Sequence, residues 1–427
     1  MSIRDLKNKS LTVLFVRSTG VLLLFGLTLF LTNFFPAEEV GRYDFVRSSI
    51  MILGGLALMG TNQSIIYYSG LLRARESIES IRSIYLNMLK IILFLSVLII
   101  MFFLLVFSET SLNDIFNNKE SYTLILKVIL SLIFFTVTML NVDTIRALQR
   151  TIVSELYRNI FRYLLFFVFA IILYVYEFQA FLIEAYLFGF VLLSIFSSIH
   201  VVNLLKGIKK PNKETEEFTI RQIFVNSAPM ALSAIAYFIM QSIDVIILSV
   251  YEGFNQIAYY SVSVKLAMVI TLALMSVNIV IAPRVAEIFE LGSTDKMQSL
   301  IKSSTRIIFV ISAIFLSILF IFSEDLLSLF GPDYILANEA LLLLLFAQFF
   351  NAVSGPGAIY LNMTGRQIIL NKILLIGLIT NIALNFYLIP IEGIAGAAKA
   401  TLISLILWNI ILAGYIYFKD KIKIFLT

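Results

Sequence analysis

Apolar runs of about 20 residues recur along the whole of this 427-residue chain, and an α-helix of that length crosses the hydrocarbon core of a bilayer. Hydrophobic residues make up 60% of the chain and charged residues only 14%, whereas a soluble domain carries about a quarter charged residues. A soluble globule cannot bury so much apolar surface. The chain is therefore predicted to be an all-α polytopic membrane protein, which excludes soluble enzymes, nucleic-acid binders and disordered proteins.

About twelve transmembrane helices are predicted. The runs are too long for membrane β-strands, and they lack the alternation of such strands. Near residue 177 the apolar sequence is almost continuous, and a split is predicted at Glu177. The predicted spans are 11–35, 45–69, 84–107, 122–141, 160–176, 179–204, 222–250, 257–283, 305–323, 335–362, 368–389 and 394–418.

Lysine and arginine fix the orientation, because they are enriched in cytoplasmic loops. With both termini cytoplasmic, 24 of the 32 basic residues fall on the cytoplasmic side. This bias explains the net charge of +5 without a nucleic-acid partner. The stretch 143–162 carries four of these arginines and is predicted to form an amphipathic helix on the cytoplasmic lipid surface.

Several kinds of chemistry are not expected. The chain has no cysteine and a single histidine, His200, so neither a thiolate nucleophile nor a histidine metal site is predicted, and no cofactor is expected. No G-x-x-x-x-G-K-[ST] motif is present to bind ATP. Since no predicted loop is long enough to hold a catalytic domain, the chain is predicted not to be an enzyme.

The sequence also contains a weak internal repeat. A shift of 217 residues places Leu31 on Leu248 and Tyr43 on Tyr260. The predicted domains are an N-terminal six-helix bundle at 1–205, a charged cytoplasmic linker at 206–221 and a C-terminal six-helix bundle at 222–427. Parallel repeats of this kind are typical of transporters that alternate between two access states, with the site at the repeat interface.

Motifs along the chain resemble those of the polysaccharide flippases of the MOP superfamily, the Wzx or O-antigen-transporter type. The superfamily also contains the MATE drug exporters and the lipid II flippase. The resemblance covers essentially the whole chain. The motifs are NFFPAEEVGRY at 33–43, IDVIIL at 243–248, AYYS at 258–261, LNMTGR at 361–366, NIALN at 381–385 and GIAGAA at 393–398.

The resemblance implies a MATE-like fold of two pseudo-symmetric bundles. It also implies a flippase that moves an undecaprenyl-diphosphate-linked oligosaccharide across the bacterial inner membrane for O-antigen or capsule synthesis. Alternating access would be driven by H+, Na+, the membrane potential or product removal. The implied partners are the lipid-linked cargo, membrane lipids and polysaccharide polymerases. The alternative is a MATE-type ion-coupled exporter of small molecules.

Charged residues inside spans indicate a site, because charge at bilayer depth is costly. Arg17, Arg47 and Lys265 lie within predicted spans, although Arg17 could also snorkel to the surface. The resemblance assigns these three cations to a cavity that binds the cargo diphosphate. Asp244 is the only acid placed inside a span; it could pair with a cation, bind a coupling ion or cap a helix. Because the first span has no acid, anionic cargo is favoured over the cations of MATE exporters.

Overall fold

The computed structural model of the protein describes residues 3–75, 77–208 and 218–426. Within these ranges the chain forms helices and no strands, which confirms the predicted fold class. The chain divides into two compact units, one ending at Ser242 and the other beginning at Ile243.

The first unit contains ten α-helices in its described part. They are α1 (Ile3–Phe34), α2 (Ala37–Leu58), α3 (Thr61–Ala74), α4 (Ile81–Val106), α5 (Glu109–Ile115), α6 (Ser121–Ala147), α7 (Thr151–Glu155), α8 (Arg162–Val175), α9 (Leu182–Lys206) and α10 (Ile220–Met240). Helix α6 is central, because α2, α3, α4 and α9 all pack against it.

The second unit is built around α15, which α12, α13 and α17 contact. Its helices are α11 (Ile243–Tyr251), α12 (Phe254–Glu290), α13 (Thr294–Ile321), α14 (Ser323–Ser328), α15 (Asn338–Val353), α16 (Gly357–Met363) and α17 (Gln367–Asp420). In both units large apolar side chains also face outward; Leu105 and Phe15, for example, are 78% and 72% exposed. This outward apolar surface suits a lipid environment.

The helices account for most of the predicted spans. In the described ranges, nine helices are long and apolar enough to cross a membrane, or ten if the bent pair α2–α3 is one span. Helix α17 has 54 residues and is interrupted at Gly393, where φ is 55°. A helix of that length is about 81 Å long, more than twice the roughly 30 Å hydrocarbon core, so it supplies two spans. With α17 counted as two spans, the described ranges hold ten or eleven candidate spans, against about twelve predicted.

The predicted surface helix at 143–162 is wrong. Asp143 belongs to α6, and residues Thr151–Val175 form one candidate span in which α7 and α8 are joined by a π-helix, Leu156–Phe161. The prediction rested on the regular spacing of the four arginines, and it took no account of Asp143 or of the nearby Glu155. In the structure both acids are paired with arginines.

The predicted split at Glu177 is confirmed. Helix α8 ends at Val175, and Glu177 adopts a left-handed conformation with φ of 60°. The amide of Phe178 donates to the carbonyl of Leu173 at 2.8 Å. This bond satisfies one of the carbonyls left open at a helix end, so the chain can reverse even within an apolar sequence.

The compact units describe packing, whereas the predicted domains describe a repeat in the sequence. Helix α10 packs against α2, α3 and α4 of the first unit, although the repeat assigns it to the second half. The predicted boundaries at 205 and 222 therefore stay a prediction, and residues 209–217 of the linker lie outside the described residues.

Helices α2 and α6 approach closely at Gly54. A Cβ atom there would lie 2.2 Å and 2.4 Å from ring atoms of Phe135, and the Phe135 ring is itself buried against Phe190. Gly54→Ala is therefore expected to destabilise the protein by about 1–3 kcal/mol through overpacking. Thermal unfolding of the purified protein measures the effect. Gly26→Ala in α1 is the matched control, because nothing lies within 4 Å of its added Cβ atom; equal melting temperatures for the two variants would contradict the prediction.

Candidate functional site

Arg17 is held in an ion pair by α7. Its Nε donates to Glu155 Oε2 at 2.9 Å and its Nη2 donates to Glu155 Oε1 at 2.7 Å. Asn159 donates to the same carboxylate at 2.9 Å. The Glu155 side chain is only 1% exposed, and that of Arg17 is 39% exposed. Arg17 therefore neutralises a buried acid, and its charge is not wholly available to a ligand.

Arg47 is also paired, with a carboxylate one helical turn earlier. Its Nε lies 3.0 Å from Asp44 Oδ1, and the Asp44 side chain is fully buried. Residues three apart on a helix share a face, so α2 places both charges on the same side. The ring of Tyr43 next to this pair packs against Tyr186 of α9, with centroids 5.0 Å apart.

Arg162 is another arginine inside a helix of the first unit, and the sequence interpretation did not include it among the candidate site residues. Its Nη2 donates to the Tyr186 hydroxyl at 3.3 Å. The rings of Tyr163 and Phe190 lie 5.8 Å and 5.4 Å from the guanidinium carbon. The Tyr186 ring that Arg162 contacts through its hydroxyl packs in turn against Tyr43, the residue before Asp44, whereas Arg17 belongs to the network around Glu155.

The prediction that Asp244 is the only acid inside a span is wrong. Asp44, Asp143 and Glu155 all lie in helices of candidate spans and are buried. Asp143 pairs with Arg158 and accepts a hydrogen bond from Asn62. Glu184 and Glu339 also lie inside predicted spans, at 179–204 and 335–362, whereas the predicted ends at 45, 141 and 160 left the three paired acids outside. Only Asp44 has its partner close in sequence, at Arg47; Asp143 and Glu155 pair with arginines that lie 15 and 138 residues away.

Lys265 lies in α12 of the second unit, and only 6% of its surface is exposed. It is the twelfth residue of this helix, about 17 Å from the helix start. Burial inside the unit argues against snorkelling to the membrane surface. Its contact with cargo stays a prediction.

Asp244 is the acceptor of a buried polar cluster. Its carboxylate receives hydrogen bonds from Thr401 at 2.6 Å, from Asn385 at 2.7 Å and from Tyr260 at 2.9 Å. Asn385 also donates to Asn381 Oδ1 at 3.0 Å, and the Oδ1 of Asn385 is buried with no hydrogen-bond partner. The cluster gathers several oxygen atoms around one carboxylate, and oxygen atoms are the ligands of hard cations.

Helices α11, α12 and α17 position this cluster. Asp244 lies in the first turn of α11, where a negative charge is favoured by the helix dipole. Asn381 and Asn385 are four residues apart and therefore share a face of α17. In the described part of the chain, no group of three or more His, Cys, Asp or Glu residues could hold a metal ion. A single carboxylate with neutral oxygens suits a proton or a monovalent cation better than a divalent ion.

Two family models match parts of this chain. The family model described as "Polysaccharide biosynthesis protein" matches residues 6–289, about two thirds of the chain. The chain belongs to the polysaccharide biosynthesis protein family. The MatE model matches residues 229–387. This polysaccharide biosynthesis protein is also 25% identical to an uncharacterised membrane protein of Methanocaldococcus jannaschii over 400 residues, which are 88% of this chain and 77% of that protein.

Solved structures show the same fold. Lipid II flippase MurJ in an inward closed conformation has a TM-score of 0.72 at 15% identity, over 96% of this chain and 88% of that chain. A multidrug resistance MATE family transporter of the MOP superfamily, in an inward-facing conformation, has a TM-score of 0.69 at 17% identity, over 96% and 98% of the two chains. The resemblance to MOP-superfamily flippases is thereby confirmed, and family and fold together indicate a transporter or flippase.

All four predicted site residues of this polysaccharide biosynthesis protein lie within the family match: Arg17, Arg47, Asp244 and Lys265. The structure pairs Arg47 with Asp44, and it surrounds Asp244 with donors. It pairs Arg17 with Glu155. Two of the predicted cations thus lie in the first unit, whereas Asp244 and Lys265 lie in the second.

Proposed function

We propose that the protein is a flippase that moves an undecaprenyl-diphosphate-linked oligosaccharide from the cytoplasmic to the periplasmic leaflet by alternating access. The observation that carries the proposal is a set of basic side chains within membrane-spanning helices, Arg17, Arg47 and Lys265, in a chain of the polysaccharide biosynthesis family. Charge at this depth is rare and usually marks a substrate path. The cargo would serve surface polysaccharide, as O-antigen or capsule.

A diphosphate head group suits these cations. Guanidinium groups bind phosphate oxygens through two parallel hydrogen bonds, and an ammonium group adds a compact charge. In the proposal Lys265 contacts the head group directly. Arg47 stays paired with Asp44 through its Nε and donates to the head group from its remaining guanidinium N–H groups. Arg17 acts mainly by neutralising Glu155.

The energy for transport would come from an ion gradient, the membrane potential or removal of the product. The buried Asp244 cluster supports coupling to H+ or Na+, because an ion bound there would neutralise a carboxylate that α11, α12 and α17 share. We propose the bacterial inner membrane as the location, with both termini cytoplasmic. Polysaccharide polymerases are the proposed partners that use the flipped cargo.

A second candidate is an ion-coupled exporter of small molecules. The MatE match over 229–387 favours it, because that region includes the buried acid Asp244. The acid is surrounded by hydrogen-bond donors of the protein itself, at 2.6–2.9 Å. It is therefore better placed to bind a small ion than a bulky organic cation, and the flippase is the better supported function.

Cells lacking the protein test the proposed function. Mass spectrometry of extracted lipids and an assay of surface polysaccharide would be made together. We expect undecaprenyl-diphosphate oligosaccharides to accumulate and surface polymer to be lost, with both restored by the wild-type protein. An unchanged lipid-linked pool with normal surface polymer would contradict the flippase and leave the exporter as the leading candidate.

Lys265→Ala is expected to lower the rate of polymer restoration about 10-fold, because it removes one charge-assisted contact to the diphosphate. Lys265→Arg keeps the charge and should retain most of the activity. Lys302→Ala in α13 is the control, because it removes one lysine of the same unit outside the proposed site. Membrane levels of each variant are measured by immunoblot. Full activity of Lys265→Ala at normal levels would remove Lys265 from the site.

A further inference from the structure

Arg162 lies near the middle of the candidate span that α7, the π-helix and α8 form. It is the twelfth of the 25 residues of Thr151–Val175, about 16 Å along the helix axis. The π-helix ends at the preceding residue, Phe161, and short π segments are frequent at functional sites.

In the described part of the chain, Arg162 differs from Arg47 and Arg158 because it has no carboxylate partner. Arg47 has Asp44, and Arg158 has Asp143. Across the described ranges, no carboxylate lies within salt-bridge distance of Arg162; its single hydrogen bond goes to the Tyr186 hydroxyl at 3.3 Å. Its Nε is buried and has no hydrogen-bond partner there. A buried unsatisfied donor on a charged group costs stability, which indicates an acceptor that the protein does not itself supply.

Aromatic rings hold this guanidinium in place. Phe190 and Tyr163 lie 5.4 Å and 5.8 Å from it, within the range of cation–π attraction. Tyr186 is packed in turn by Phe166 and Phe190, with centroids 5.2 Å and 5.3 Å away. The arginine and the hydroxyl are therefore positioned by packing before any ligand arrives, which lowers the entropy cost of binding.

We propose that Arg162, with the hydroxyl of Tyr186, forms an anion-binding site in the first unit that contacts the phosphate oxygens of the cargo. The proposal rests on the proposed function and adds a residue to it. The donors on Nε and on the outer edge of the guanidinium would take two phosphate oxygens side by side. Tyr186 would donate to a third oxygen, and the charge of Arg162, which no carboxylate in the described residues neutralises at salt-bridge distance, would favour an anion over a neutral lipid.

A purely structural arginine would differ in one measurable respect. If Arg162 only packs against rings, its loss should lower stability without changing the preference for charged over neutral ligands. If it contacts phosphate, its loss should reduce affinity for a diphosphate and leave affinity for the corresponding alcohol unchanged. The ratio of the two affinities separates these roles even when stability falls.

The experiment uses the full-length protein in nanodiscs, with farnesyl diphosphate and farnesol as probes in equilibrium binding. We expect the wild-type protein to prefer the diphosphate and Arg162→Gln to weaken diphosphate binding about 10- to 100-fold, with farnesol binding unchanged. Arg162→Lys should retain part of the preference, and Tyr186→Phe should lose part of it. Arg82→Gln is the matched control, because it removes one exposed positive charge of the same unit.

The outcomes that would overturn the proposal are distinct. Wild-type diphosphate affinity in Arg162→Gln would overturn the Arg162 site and leave the flippase proposal intact. If that variant does not fold, wild-type diphosphate affinity in both Arg162→Lys and Tyr186→Phe would overturn it instead. A wild-type protein that binds farnesol as tightly as farnesyl diphosphate would contradict both this site and the proposed cargo.

Discussion

Asp244→Asn is expected to abolish the dependence of transport on an ion gradient. The substitution keeps the size of the side chain but removes the negative charge that Thr401, Asn385 and Tyr260 surround. Losing a charge-assisted interaction of this kind weakens ion binding by about 10- to 100-fold. The measurement is cargo transport in proteoliposomes under imposed H+ or Na+ gradients. The variant should transport cargo at the same rate with and without the gradient.

The neighbouring asparagine provides the matched rescue. Asn385 lies 2.7 Å from the Asp244 carboxylate and has a buried, unpartnered Oδ1. The double variant Asp244→Asn/Asn385→Asp therefore returns one carboxylate to the same cluster, and we expect it to regain part of the gradient dependence. If Asp244→Asn retains the wild-type response to both gradients, the cluster is structural and the coupling ion binds elsewhere.

Arg17→Met is expected to destabilise the protein by about 3–5 kcal/mol, because it leaves the buried carboxylate of Glu155 without its cation. Replacing both partners, as Arg17→Met/Glu155→Met, should recover most of that stability, since no uncompensated charge then remains. Thermal unfolding in detergent measures the stability of the wild-type protein, of Arg17→Met and of the double variant. Equal stability of the wild-type protein and Arg17→Met would show that the ion pair contributes little.

The same double variant separates the two roles of Arg17. If Arg17 acts by neutralising Glu155, the double variant should be folded and should transport nearly as well as the wild-type protein. If Arg17 also contacts the diphosphate, the double variant should be folded but impaired about 10-fold. A folded double variant with no transport at all would make Arg17 a principal cargo contact and would contradict its assignment to Glu155.

The spans were predictable from sequence because hydrophobic length alone decides them. The reversal at Glu177 is an example: an acidic residue interrupts an apolar run, and the structure places a turn there. The ion pairs were not predictable in the same way. Asp143 and Glu155 look like loop acids until tertiary packing brings Arg158 and Arg17 to them, and that packing depends on helix rotation.

The missed site residue has a similar cause. The predicted span 160–176 has only 17 residues, the lower limit for crossing a bilayer. Extending it back to Thr151, across the paired Glu155 and Arg158, moves Arg162 from the end of the span to near its middle. The shortness of that span was the available signal. The contact with Tyr186 could not be foreseen, because it joins helices α8 and α9 through side-chain packing.

Flipping by the purified protein in liposomes tests the proposed transport directly. Undecaprenyl-diphosphate-linked oligosaccharide is placed in the inner leaflet, and its arrival outside is followed with a membrane-impermeant glycosidase, with protein-free liposomes as the control. A flippase should expose the cargo to the enzyme in protein-containing liposomes, and Lys265→Ala should slow this exposure about 10-fold. Equal exposure in liposomes with and without the protein, under every imposed gradient, would contradict the proposed transport.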